Sequence, residues 1–158
     1  MVFKNYTFFS YVFFATTVIL LTGHAHGAGL CDNSPDKQVC HSIVYNRTNP
    51  HDAVVAACHK LISQTKVANG VARKQPNSTE IYNCITKFDQ SIGYAKDALN
   101  SLDQGQPLSS KTYLIAAWAN YKVCDDWFLN SGKTNPIAKS TKLLQDMANV
   151  GAYLSTLV

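Results

Sequence analysis

Five cysteines, at positions 31, 40, 58, 84 and 124, are the side chains of this 158-residue protein best suited to chemistry. A thiol can bridge to another thiol, ligate a metal or attack a substrate, and its neighbours decide which. The nearest nitrogen ligands are His41, His51 and His59, the last forming the run His51-x6-Cys58-His59. A tetrahedral metal site needs ligands that converge, and adjacent helical residues such as Cys58 and His59 point in different directions, so no metal site is expected. Asp125 and Asp126 diverge for the same reason and read as a solvated helix flank. The chain has no Gly-x-Ser-x-Gly elbow, no His-Glu-x-x-His helix and no glycine loop for a phosphate. Neither a catalytic centre nor a cofactor is expected, which leaves bridging as the work of the sulfur atoms.

Bridging requires an oxidising compartment, and the N-terminus has the features of an export signal. Lys4 is followed by an almost wholly apolar and aromatic run from Thr7 to Thr22, then by Ala25-His26-Gly27, small residues where a signal peptidase reads. Residues 1–27 are expected to be a signal peptide, and residues 28–158 one exported domain with no membrane association after cleavage. Loss of Lys4 lowers the formal net charge from +4 to +3. That mild balance, without a basic block, gives no reason to expect nucleic acid as a partner. In an exported chain Asn46-Arg47-Thr48 and Asn77-Ser78-Thr79 are glycosylation sequons at Asn46 and Asn77. A monomer is expected.

The elements that must hold the cysteines are helical. Ile81, Ile85, Phe88, Ile92, Ala95, Leu99 and Leu102 recur at steps of four and three, the stripe of a helix inside a bundle. Asn77, three residues before Glu80, predicts a capping box, and Gly105 with Pro107 predicts the end. Before this helix, Asn49-Pro50 starts another with Val54, Cys58, Leu61, Thr65 and Ala68 inward, fading at Gly70 and stopped by Pro76. After it, Ser109 or Ser110 is expected to cap a helix carrying Leu114, Ala117, Tyr121, Cys124 and Phe128 inward as far as Gly132. The aromatic residues Tyr113, Trp118, Tyr121, Trp127 and Phe128 on that helix read as core and rim rather than a ligand box. Asn135-Pro136 starts the last helix, with Leu143, Met147, Val150, Leu154 and Leu157 inward, running to the C-terminus. No stretch alternates with period two. The expected fold is all-α, an up-down-up-down four-helix bundle preceded by a short N-terminal hairpin closed by a disulfide.

Helix geometry selects the bridges. Cys84 and Cys124 are 40 residues apart with the Gly105/Pro107 break near the midpoint, so two antiparallel helices return the chain to the same height. Cys31 and Cys40 flank Ser34-Pro35-Asp36 in the same way at smaller scale. The expected pairs are Cys31–Cys40 and Cys84–Cys124, leaving Cys58 as a buried free thiol.

Three segments together resemble the plant invertase/pectin methylesterase inhibitor family. They are Cys31 through Cys40 with eight residues between, the Cys-centred helix start Asn83-Cys84-Ile85-Thr86-Lys87-Phe88, and Ala116-Ala117 leading to Val123-Cys124-Asp125-Asp126-Trp127-Phe128. The resemblance implies the same two bridges, a four-helix bundle with an N-terminal hairpin, and no enzymatic activity. It implies a protein secreted to the plant cell wall that docks on pectin methylesterase or on acid invertase. Invertase-directed members carry Pro-Lys-Phe before the third bundle helix, where this chain has Pro107-Leu108-Ser109, which favours pectin methylesterase. In the family the outer faces of the second and third bundle elements make such contacts. Mapped here, they give a partner surface of Lys87, Gln90, Tyr94 and Asp97 with Pro107 and Leu108, and Tyr94 as its anchor. The other functional class considered is a non-inhibitory helical binding module, which would need an internal cavity of roughly 300 Å³ or more.

Overall fold

The computed structural model describes residues 28–158, and the expected signal peptide lies outside the described residues. The helices are α1 (Ala28–Cys31), α2 (Lys37–Val44), α3 (Pro50–Ala72), α4 (Thr79–Asp103), α5 (Pro107–Asn130) and α6 (Ala138–Leu154). Among the described residues there is no strand. Helices α3, α4, α5 and α6 pack in a ring, each against the next and α6 back against α3. Helix α2 lies across α3 and α6, with α1 folded onto α2. This is the expected up-down-up-down bundle with its N-terminal hairpin. Within that hairpin Cys31 bridges Cys40 at a Cα separation of 5.7 Å, and across the bundle Cys84 bridges Cys124 at 5.1 Å.

Local sequence sets most boundaries. The Asn49 side chain accepts the His51 N–H at 2.9 Å, with Pro50 at the first helical position. Both long turns end on glycine in the left-handed region, Gly105 at φ 69° and Gly132 at φ 67°. At the first, Gly105 N–H donates to Leu102 O and Gln106 N–H to Ser101 O. At the second, Gly132 donates to Leu129 O and Lys133 to Phe128 O. These are Schellman closures, and they reverse the chain within a few residues.

Four expectations need correction. The cap of α4 is Ser78, whose hydroxyl accepts the Ile81 N–H at 3.2 Å, and not Asn77. Helix α5 begins at Pro107, so Ser109 and Ser110 are inside its first turns rather than capping it. Helix α6 begins at Ala138 because the Asn135 side chain accepts the Ile137 N–H and holds Asn135-Pro136 in a turn; it ends at Leu154. The inward stripes of α4 and α6 are rotated from those expected. On α4 the buried residues are Glu80, Ile81, Cys84, Phe88, Ser91, Ala95, Ala98, Ser101 and Leu102, with Ile85, Ile92 and Leu99 on the flank. On α6 Leu144 is buried while Leu143 and Leu157 are exposed.

The core is continuous from the hairpin to the last helix. Phe88 and Tyr121 meet at its centre with ring centroids 6.0 Å apart, and the Tyr121 hydroxyl lies 2.7 Å from Thr65 Oγ1. Thr65 Oγ1 also donates to Leu61 O at 2.7 Å, so the pair links the Tyr121 hydroxyl to the backbone of α3 inside the core.

Candidate interaction surface

The cysteines and several acidic side chains serve the structure. Four cysteines are bridged, and Cys58 is a fully buried free thiol whose pKa burial pushes up to about 12. Burial likewise pushes Tyr121 up to about 12, against hydrogen bonds with Thr65 and Ser91 that favour its charged form. Glu80 is held down at about 2, first by hydrogen bonding to Lys133. Asp125 is not the solvated flank that its sequence neighbours suggest. Its carboxylate accepts from Asn135 Nδ2 at 2.6 Å, Gln145 Nε2 at 2.6 Å and Thr141 Oγ1, and so ties α5 to the following turn and to α6. Asp126 pairs outward with Lys122. Among the described residues no three His, Cys, Asp or Glu side chains are grouped to hold a metal ion.

What the fold presents is surface. The outer stripe of α4 carries Lys87, Gln90, Tyr94 and Asp97 at helical spacing, and Lys87 Nζ donates to Gln90 Oε1 at 3.0 Å. Tyr94 is half-buried rather than an exposed anchor. Its ring stacks on Tyr113 of α5, centroids 6.4 Å apart and planes at 28°. The α4–α5 turn continues this surface through Pro107 at the first position of α5 to Leu108, which is 72 % exposed.

Sequence reasoning missed the rest of the α5 face. Ile115 and Leu129 are exposed and share the heptad phase of Leu108, with the Lys122–Asp126 pair between them. The signal was present: Leu108, Ile115 and Leu129 fall opposite the inward Leu114, Ala117, Tyr121, Cys124 and Phe128. An apolar series on the outward side of a bundle helix is unpartnered within the fold and available to another protein. The interior, by contrast, is filled by large side chains. Tyr121, Phe88, Leu61, Leu114, Leu144 and Leu154 are among the side chains fully buried in it. Among the described residues no helix is long and apolar enough to cross a membrane.

Comparison with known proteins bears on what that surface meets. A model of the family described as plant invertase/pectin methylesterase inhibitor matches residues 28–154. Among solved structures, a mutant form of a pectin methylesterase inhibitor from Arabidopsis superposes with a TM-score of 0.70 at 11 % identity, covering 82 % of this chain and 94 % of that one. A pectin methylesterase inhibitor from Arabidopsis thaliana gives 0.62 at 11 % identity, covering 82 % and 93 %. At such identity these two likenesses speak for the fold. No curated protein matches the chain.

Proposed function

The chain belongs to the plant invertase/pectin methylesterase inhibitor family, and from that premise we propose that it is a secreted inhibitor of pectin methylesterase in the plant cell wall. It docks one-to-one over the substrate cleft of the enzyme and performs no chemistry of its own. The docking surface is the outer stripe of α4, Lys87, Gln90, Tyr94 and Asp97, continued by Pro107 and Leu108 and extended along α5 by Ile115. The observation that carries this reading is the exposed apolar face of Leu108 and Ile115 on α5, with the stacked Tyr94–Tyr113 pair between α4 and α5. Aromatic rings ordered before binding lose little entropy on docking, which favours them as contact points. Leu108 stands where invertase-directed members carry lysine, and this supports the esterase as the target over acid invertase.

Export and glycosylation fit the same reading. Asn46 and Asn77 are both exposed. Because Ser78 caps α4, a glycan on Asn77 does not compete with the helix start.

Side-by-side inhibition assays against plant pectin methylesterase and acid invertase test the proposal. We expect the esterase to be inhibited and the invertase to be spared. Leu108→Glu, an exposed change that leaves the core alone, should weaken inhibition by about 30-fold, the equivalent of losing an anchor of ~2 kcal/mol. Inhibition of invertase alone would reassign the target. Failure on both enzymes would make the chain a non-inhibitory binding module.

A further inference from the structure

A groove of about 670 Å³ lies between α2, the turn after it and α3. Helix α2 packs on α3 and α6, so this groove faces away from the α4–α5 surface. Its size is within the range of small-molecule sites.

Two cations are built into its wall. Lys60 Nζ donates to Ser42 O at 2.8 Å and to Ser42 Oγ at 3.3 Å, and one terminal nitrogen of Arg47 donates to Ile43 O at 3.2 Å and Val44 O at 3.4 Å. The last carbonyls of α2 therefore fix both charges in place, as helix C-termini favour. Each cation retains further N–H donors for a ligand. His59 adds an imidazole, and Asp52 is the one carboxylate lining the groove.

At the rim stands Tyr45, 73 % exposed, with φ 48° and ψ −108°. It is the first central residue of the turn closed by Arg47 N–H to Val44 O at 2.9 Å, a conformation that normally selects glycine. A bulky side chain held at positive φ with its ring in solvent contributes nothing to the core, and such strain concentrates at binding sites.

An exposed ring beside two fixed cations suits a ligand that has both a flat apolar face and anionic groups. We propose that the groove binds a uronate oligosaccharide, the carboxylated chain that pectin methylesterase leaves behind, with the Tyr45 ring against a sugar face and Arg47 and Lys60 on carboxylates. The choice of uronate rests on the wall-enzyme reading above. Because the groove faces away from the docking surface, the inhibitor can hold the polymer and the enzyme at once, which raises its effective concentration where the enzyme works.

Calorimetric titration of the secreted protein with galacturonate oligomers, and separately with their methyl esters, tests this at low salt. The free acid should bind at least about tenfold tighter than the ester, since only the acid pairs with Arg47 and Lys60. Tyr45→Gly suits the backbone but removes the ring. It should keep or raise the melting temperature while weakening binding at least about fivefold. Lys96→Gln, on exposed α4, should bind like the unmodified protein. Equal affinity for acid and ester, an unchanged Tyr45→Gly, or an equal loss in Lys96→Gln would each overturn the proposal. No enzyme is present in the titration, so a failure to inhibit pectin methylesterase would count against the docking surface and not against this groove.

Discussion

Glu80, in the first turn of α4, accepts both hydrogen bonds of a forked contact from Lys133, at 2.8 and 3.0 Å. Lys133 is the residue after Gly132, so the contact fastens the end of the α5 turn onto the beginning of α4. The ammonium group first, with hydrogen bonds from the Glu80 backbone and the Ser78 hydroxyl, lowers the Glu80 pKa from an ordinary 4.5 to about 2. A carboxylate whose folded pKa is depressed stabilises the fold above its unfolded value, and that contribution is lost as pH falls through the folded one. The Glu80 contribution is therefore whole above pH 4.5 and disappears toward pH 2. Thermal melts between pH 5 and pH 2 should fall less steeply for Glu80→Gln than for the unmodified protein. Parallel curves would show that the contact has no influence on acid stability.

The two bridges should contribute unequally. Cys84–Cys124 spans 40 residues and Cys31–Cys40 spans 9. In the chain-entropy account, removing the first costs about 4 kcal/mol and the second about 2.5 kcal/mol. Urea titrations of Cys84→Ala/Cys124→Ala and Cys31→Ala/Cys40→Ala should show this order, with the second pair disturbing chiefly α1 and α2.

Asp125→Ala should destabilise by about 2–3 kcal/mol, because three donors from two neighbouring segments lose a charged acceptor together. Asp126→Ala, which breaks only an exposed pair with Lys122, should cost less than about 0.5 kcal/mol. Chemical denaturation of the two variants side by side reads the difference directly.

Cys58 should resist alkylation in the folded protein. A thiol raised from 9.0 to about 12 has on the order of a thousandfold less thiolate at neutral pH, and it is fully buried besides. Iodoacetamide at pH 8 should label one site per chain in denaturant and none without it. Rapid labelling of the folded protein would place Cys58 on the surface.

Those same residues mark how far the sequence could be read. The inward stripes expected for α3 and α5 are legible because their positions are apolar or, like Thr65 and Tyr121, bond their hydroxyls inside the core, whereas the buried Ser110 and Asn120 of α5 carry no hydropathy signal. Helix α4 misleads for the converse reason. Ser91 hides in the seam with its hydroxyl bonded to Lys87 O, and hydropathy alone assigns that place to Ile92. Caps depend on single side-chain rotamers, so Ser78 and Asn77 are equivalent candidates until the backbone is placed. Asp125 could not be read at all, since its three donors come from residues 10, 16 and 20 positions away. The outer face is half-legible. The polar stripe of α4 follows from periodicity, whereas the stacking of Tyr94 on Tyr113 depends on how two helices meet.

The Cys84–Cys124 bridge has one more consequence. It joins the start of α4 to the far end of α5, so these helices and the turn between them form a closed covalent ring. Gln104, Gly105 and Gln106 are the exposed link of that ring, where a protease would find the chain most open. A nick there would not release either half. The severed strands would stay tethered through sulfur, with the core still assembled, and would part only on reduction, so a single cut in this turn leaves the molecule in one piece.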